Sequence, residues 1–383
     1  MSVHRLEHIP GFSIDRVAAA AGNDPDVLRL ENLDTDIPPP RDAVEVTRNA
    51  VGTDEANSYL PFTGTDDLRM AVATHLRHLS GQSYDPQAEV VITCGGTEGM
   101  LDALFAVVNP GDEVILTDPT YAGMTNRVRL VAAIPRLIPF TYMNNAWRLD
   151  LDALNSAVNK RTRALFIMNP SMPSGAVLNA EEWNAITHAC AKNSLWLLYN
   201  AAMERILFDD LPYLHPASLP GMAERTLTIG SVSKEYRMIG WRIGWVTGPA
   251  SVMGEVAKAH IYNAVTPPGI SQAGARAALS SPATDLKACV AEWQQRRDAV
   301  LDQLKSFRPM TPSGGWSMLL DVSVLGFDSF TASKLLLERG RVAATPMRDW
   351  GEVNGDRFVR LVFSNEPVER LATLGPRVSR ALG

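Results

Sequence analysis

Short runs of apolar residues, rich in Val, Ile and Leu and closed by glycine or polar residues, recur through the first two thirds of the chain. "AEVVITCGG" leads into "TEGMLDALFAVV" and "GDEVILTDPTY" into "AGMTNRVRLVAA"; "RALFIMNP", "LWLLYN", "TLTIGSVS" and "IGWVTGP" follow, most of them separated by stretches of helix length. Continuous rather than alternating hydrophobicity predicts strands buried on both faces, as in a mostly parallel sheet with helices on either side. The centre of the chain therefore reads as an α/β domain. After Pro267 the texture changes: one long helical stretch, from about Ser271 to Phe307, carries Arg, Lys and Glu, and "GGWSMLLDV" and "DRFVRLVFS" follow. That order predicts a smaller α+β domain, joined by the proline-rich "TDIPPP" of the N-terminal segment. The expected division is 1–45 as an N-terminal segment contributing to the small domain, 46–268 as the large ligand-binding domain and 269–383 as the small C-terminal domain.

Composition narrows the class. With 383 residues, 46% hydrophobic and 20% charged, the chain is long and apolar enough for two domains around a real core. A net charge of -6, with both signs interspersed, supplies no basic field for nucleic acid or an anionic membrane. No apolar run approaches the roughly 20 residues that span a bilayer. The N-terminal "MSVHRLEHIPGFSIDRVAAAAG" lacks the basic-then-apolar order of a secretion signal, so a cytoplasmic location is expected. Cys94, Cys190 and Cys289 are scattered without metal-like spacing, which predicts packing thiols and no metal site.

Ligands of an open parallel sheet bind where strands end and helices begin. "CGGTEG" closes one strand and opens a helix, placing the N–H groups of Gly96 and Thr97 where a helix dipole favours an anion. Glycine pairs also serve plain turns, so this feature alone is weak. "TDPTY" sets Tyr121 at the next strand end, to cover a ligand or to pack. "GSVSKEYRMIGWRIGW" places Lys234 behind two serines and ahead of an arginine; alone, such a stretch reads first as a solvated loop.

In their order these segments resemble the class I/II aminotransferases, pyridoxal 5'-phosphate enzymes of fold type I, over nearly the whole chain. "NSYLPFTGTDDLR" is similar to the family's Tyr-x-x-x-x-Gly-x-x-x-Leu-Arg segment, "GGTEGM" to its phosphate turn and "NPGDEVILTDPTY" to the strand carrying the ring-stacking aromatic. "NPSMPSG" resembles Asn-Pro-x-Asn-Pro-Thr-Gly, "SVSKEYRMIGWRIGW" the cofactor-lysine motif and "RFVRLVFS" the carboxylate-binding segment. The resemblance implies an L-amino acid substrate and a homodimer with shared active sites. It implies that Lys234 forms the Schiff base with the cofactor and later shuttles protons, a task suited to an amine made basic by desolvation among cations. Ser231, Ser233 and Arg242 would bind the phosphate with Gly96 and Thr97, and Tyr59 would reach it from the neighbouring subunit. Tyr121 would stack on the pyridine ring. Asn169 takes the place of the motif's first asparagine, at the cofactor and substrate, and Arg360 that of the arginine gripping the substrate α-carboxylate. A surface ion pair is the alternative for Arg360.

Three positions depart from the family pattern. Asn200 aligns with the aspartate that keeps the pyridine nitrogen protonated. Such a carboxylate shifts a partner's pKa by roughly 1–3 units, or about 1.4–4 kcal/mol, whereas an amide supplies no Coulomb attraction. Met172 and Met203 align with the asparagine and tyrosine that donate to the phenolic oxygen, and thioethers do not donate. Unless neighbours replace them, the electron sink is weaker. Amino transfer is the leading expectation. The alternatives are β- or γ-elimination, replacement or carbon–carbon (annulating) chemistry on an activated amino acid such as S-adenosylmethionine, in specialised metabolism, or a catalytically inactive binding protein, against which the retained Lys234, Arg242 and Arg360 speak.

Overall fold

The computed structural model describes residues 4–11 and 13–383, and the apolar runs become strands of a single sheet. After β1 (Leu28–Arg29) come β2 (Val90–Thr93), β3 (Glu113–Asp118), β4 (Ile134–Met143), β5 (Ala146–Leu149), β6 (Thr162–Met168), β7 (Trp196–Asn200), β8 (Thr226–Ser231) and β9 (Gly244–Thr247). Strands β2 to β9 form an eight-stranded sheet in the order β2-β9-β8-β7-β6-β3-β4-β5. The inner pairings β8–β7, β7–β6, β6–β3 and β3–β4 are parallel, while β2–β9, β9–β8 and β4–β5 are antiparallel. The sheet is therefore mixed, with helices on both faces. Every residue of β2, β3, β8 and β9 is buried, which is why these runs show no alternation.

Strands β10 (Ser317–Asp321), β11 (Val342–Ala343), β12 (Thr345–Pro346) and β13 (Phe358–Val362) follow. Three of them make an antiparallel sheet ordered β10-β13-β12. The N-terminal β1 pairs in parallel with β11, Leu28 opposite Val342. The helical stretch expected from Ser271 to Phe307 is two helices, Gly269–Leu279 and Ala283–Leu304, followed by a 3-10 turn. Pro282 stands at the N-cap of the second helix; its ring bars the preceding residue from helical geometry and breaks the run. No helix among the described residues is long and apolar enough to cross a membrane. All three cysteines are free.

Cysteine spacing carried no sign of a buried polar trio formed by Glu98, Asp102 and His260. His260 Nδ1 lies 2.7 Å from Glu98 Oε1 and its Nε2 lies 2.8 Å from the Phe62 carbonyl, and Glu98 accepts the Cys94 N–H at 2.5 Å. The trio thus braces the turn that opens helix Gly96–Val107. Burial, and then the Glu98 charge, push the Asp102 carboxyl up to about 8. An acid protonated when folded and ionised when unfolded loses stability as pH rises between those two pKa values, by about 1.4 kcal/mol per unit. Asp102→Asn is expected to remove that decline between pH 4 and 8, measured as urea midpoints across the range.

Candidate active site

A cavity of about 290 Å³ opens at the carboxyl ends of the central strands. Its floor is built where backbone approaches backbone. Gly95 has φ +84°, and a Cβ there would stand 2.3 Å from an Arg242 nitrogen; a Cβ on Gly244 would stand 2.4 Å from the Gly96 nitrogen. Only glycine allows these turns to close. Gly96 and Thr97 form the first turn of helix Gly96–Val107 and line the cavity, and N–H groups in a first turn have no acceptor within their own helix. Ser231 ends β8 and its Oγ accepts the Ser233 N–H at 3.3 Å, leaving the hydroxyl proton of Ser231 to donate into the cavity that both serines line. Arg242, in the left-handed region at φ +55°, is held by the Ile239 carbonyl at 2.9 Å and the Cys94 carbonyl at 3.5 Å. Backbone N–H groups, two hydroxyls and a guanidinium make an anion cradle suited to a phosphate dianion.

Lys234 follows directly on this cradle. Its Nζ donates to the Leu33 carbonyl at 2.7 Å and lies 5.0 Å from the centre of the Trp316 ring. Burial pushes its pKa down to about 8, with Arg360 and Arg242 acting in the same sense and Asp34 opposing them. A lysine in that range offers a neutral, nucleophilic amine near physiological pH.

Across the cavity stands Arg360 of β13, fully buried and with no ion pair among the described residues; the surface-pair alternative therefore falls away. One of its terminal nitrogens donates to the Glu31 carbonyl and to Thr345 Oγ1. The other faces only the Met172 thioether at 3.8 Å, a weak acceptor, and Nε has no partner. Burial lowers its pKa to about 10, and the guanidinium stacks 4.9 Å over the Trp350 ring. A buried guanidinium with two N–H directions lacking a strong acceptor is a ready seat for a carboxylate. Among the described residues no carboxylate side chain lines the cavity.

Asn200, the last residue of β7, lines the same cavity with Met172 and Met203. Its Oδ1 accepts the Ala202 N–H at 3.2 Å, while its amide nitrogen faces the sulfurs of Met100 at 3.5 Å and Met124 at 3.7 Å. Tyr121 caps helix Ala122–Leu130, lines the cavity and packs on Trp350 with ring centres 5.9 Å apart.

Two of the residues singled out in the sequence are not at the cavity wall. Asn169 is buried, but its Oδ1 accepts the Leu178 N–H at 2.8 Å and its carbonyl accepts the Tyr199 hydroxyl at 3.2 Å. These two bonds hold the loop after β6. Tyr59 is 83% exposed and does not line this chain's own cavity.

Other contributors were invisible in the sequence. Ile14 and Leu33 reach the cavity from the N-terminal segment, and Trp350 lies in a loop without periodicity. That loop is fixed by Asp118 at the end of β3, whose Oδ2 accepts the N–H groups of Glu352 and Val353 at 2.8 Å each, and by the Thr120 N–H bonded to the Trp350 carbonyl at 2.9 Å. Each of these contacts joins positions far apart in the chain, which no local pattern records.

The family model for aminotransferase class I and II matches residues 26–374. The chain is 30% identical over 358 residues to the arginine–pyruvate transaminase of Pseudomonas aeruginosa, covering 92% of this chain and 90% of that protein. It is 35% identical over 294 residues to a probable N-succinyldiaminopimelate aminotransferase of Mycobacterium tuberculosis, covering 76% and 74%. The solved N-succinyldiaminopimelate aminotransferase of Mycobacterium tuberculosis superposes with a TM-score of 0.93 over 99% of both chains at 30% identity. The aspartate aminotransferase of Thermus thermophilus superposes with 0.91 over the full length of both at 26% identity.

Proposed function

Because the chain belongs to the class I and II aminotransferases, we propose that its cavity holds pyridoxal 5'-phosphate and moves an amino group from an L-amino acid to a 2-oxo acid. One observation carries this reading: a lysine with a lowered pKa stands between an anion cradle and a buried arginine that lacks strong acceptors, all in one cavity. The glycine-closed floor and its donor set fit a phosphate monoester, and the absence of lining carboxylates leaves nothing to repel one.

When bound, pyridoxal 5'-phosphate supplies an aldehyde that condenses with amines and a conjugated ring that takes up the electron pair released at the substrate α-carbon. The chain's residues do the rest. Gly96, Thr97, Ser231, Ser233 and Arg242 would hold the phosphate, and Tyr121 would cover the ring face. The guanidinium of Arg360 would grip the α-carboxylate in a two-point pairing, fixing which bond at the α-carbon faces Lys234. Lys234 Nζ would then take the α-proton and return it, as its near-neutral pKa allows. Leu33 and Trp316, against which Lys234 packs, exclude water from the amine.

The names of the relatives support amino transfer over the elimination, replacement or annulating chemistry considered for an activated amino acid, and over a silent fold. The test is to mix the cofactor-loaded protein with a panel of amino acids and follow the visible spectrum. Conversion of the cofactor to its pyridoxamine form, with the matching oxo acid accumulating, is the expected result. Loss of the amino acid without the pyridoxamine form would overturn it.

Asn200 bears on rate. An amide flanked by two thioethers gives the ring nitrogen no negative partner, so Asn200→Asp is expected to speed the amino-acid half-reaction by about tenfold or more, one to three pKa units of added charge stabilisation being available. Single-turnover kinetics would read this, and unchanged rates would remove Asn200 from the ring's environment.

Tyr59 is proposed to complete the phosphate site of a second copy of this chain. Tyr59, Phe62, Tyr262 and Val265 are all exposed apolar side chains, and His260 meets the Phe62 carbonyl. Tyr59→Phe is expected to weaken cofactor binding about fivefold to tenfold, the worth of one charge-assisted hydrogen bond, with the molecular mass in solution unchanged at that of a dimer.

A further inference from the structure

We propose that Arg127 is a positioning residue of this site, setting the pose of Tyr121 and tying it to the anion cradle. The proposal rests on the reading that the cavity holds pyridoxal 5'-phosphate, and it concerns a residue that no sequence motif marked.

Arg127 lies in helix Ala122–Leu130, one turn beyond the residues that open it. Its Nε donates to the Thr97 carbonyl at 2.8 Å and one terminal nitrogen to the Gly123 carbonyl at 2.7 Å. Its guanidinium also lies within interaction range of the Tyr121 hydroxyl. Among the described residues it makes no ion pair, and burial lowers its pKa. A half-buried cation held only by two carbonyls and a phenol gains little for stability, because desolvation opposes burial without a counter-charge. Its partners, however, are two cavity-lining residues, Thr97 and Tyr121.

The pose of Tyr121 is defined from two sides. A Cβ on Gly123 would lie 2.3 Å from Tyr121 Cζ and 2.6 Å from its hydroxyl, so the ring lies flat over that glycine. The hydroxyl at the far end of the ring faces the Arg127 guanidinium. The other flank of Tyr121 meets Trp350 at 5.9 Å, and Trp350 in turn carries the Arg360 guanidinium at 4.9 Å. One wall thus runs from Thr97 through Arg127, Tyr121 and Trp350 to Arg360. Arg127 anchors its cradle end, so the surface against which a flat ring stacks is set before the ring arrives, which lowers the cost of ordering it. The uncompensated charge also adds positive potential beside the phosphate seat.

The experiment is titration of the cofactor-free protein with pyridoxal 5'-phosphate, followed by quenching of tryptophan emission, with the visible circular dichroism of the bound cofactor and the melting midpoint of the cofactor-free chain. Arg127→Met is expected to raise the cofactor Kd about tenfold, the worth of one good hydrogen bond to a charged group. It should also weaken the dichroic band, and leave the cofactor-free midpoint within roughly 2 °C of wild type. Arg127→Lys should recover part of the affinity. In a Tyr121→Phe background the same Met substitution should cost less than about threefold, because the shared contact is already gone. An unchanged Kd and dichroic band, a fall in melting midpoint alone, or the full tenfold loss persisting in the Tyr121→Phe background would overturn the proposal. Should Arg127→Met not fold, Tyr121→Phe by itself reads the same contact, and an unaltered Kd and band there would overturn it equally. A wild-type protein that takes up no cofactor at all would overturn the functional reading and this proposal together.

Discussion

Lys234→Ala is expected to abolish covalent attachment of the cofactor and to lower turnover by about 10²–10⁴-fold, the range lost with a positioned proton-transfer group. Among the described residues the lysine amine is the only one lining the cavity, and its surroundings stay in place when it is removed. Its bond to the Leu33 carbonyl and its packing on Trp316 are not what holds the fold, since burial of this amine already works against its charged form. The variant should therefore fold and still take up the phosphate. Borohydride reduction followed by the mass of the intact chain separates the outcomes: wild type gains one cofactor, the variant none. Labelling of the variant at another lysine would displace Lys234 from its role. The same chemistry has a pH signature. With a pKa of about 8, the amine is mostly charged below that value and mostly neutral above it, so attachment to the cofactor-free protein should accelerate as pH rises through 8 and level off beyond.

Arg360→Leu is expected to reduce kcat/KM for the amino acid by 10²–10³-fold while leaving cofactor attachment intact. A two-point guanidinium–carboxylate pair in a desolvated site contributes on the order of 3–4 kcal/mol, and leucine supplies none of it. Stability moves the other way or not at all. Arg360 is fully buried, with no ion pair among the described residues and with an unpartnered Nε, and replacing such a cation by an apolar side chain of similar bulk is commonly neutral or stabilising. Unchanged kcat/KM would show that the carboxylate binds elsewhere. A lost cofactor band would show that Arg360 holds the ring rather than the substrate. Arg360→Lys keeps the charge but not the fork, and is expected to fall between the two.

Which groups the chain carries was legible from the sequence, and for a physical reason. Strand-end turns, a glycine pair before a helix and a lysine behind two serines are local patterns, set by residues within a few positions of one another. Buried parallel strands show themselves as unbroken apolar runs, so β3 and β8 could be read directly. The runs of β2 and β9 looked much the same, and their antiparallel pairing appears only in the sheet. Likewise one helical pattern concealed two helices, although Pro282 marked the break.

At Asn169 the motif gave no sign that the Leu178 N–H takes the side-chain oxygen. Hydrogen-bond competition of this kind depends on which backbone groups the loop leaves unpaired. Trp350, Ile14, Leu33 and Arg127 carried no signal at all, because each matters only through a neighbour far away in sequence.

By itself, then, the sequence determined the layered α/β class and the strand-end placing of the glycine turn and of Lys234, consequences of short-range patterning. The tertiary structure decided the environment of those groups. Pairing of β1 with β11 brings Leu33 over Lys234 and Glu31 onto Arg360, and the reach of Asp118 sets Trp350 between Tyr121 and Arg360. A pKa or an unpartnered nitrogen is a property of what surrounds a group in space, and that is settled by packing between distant segments.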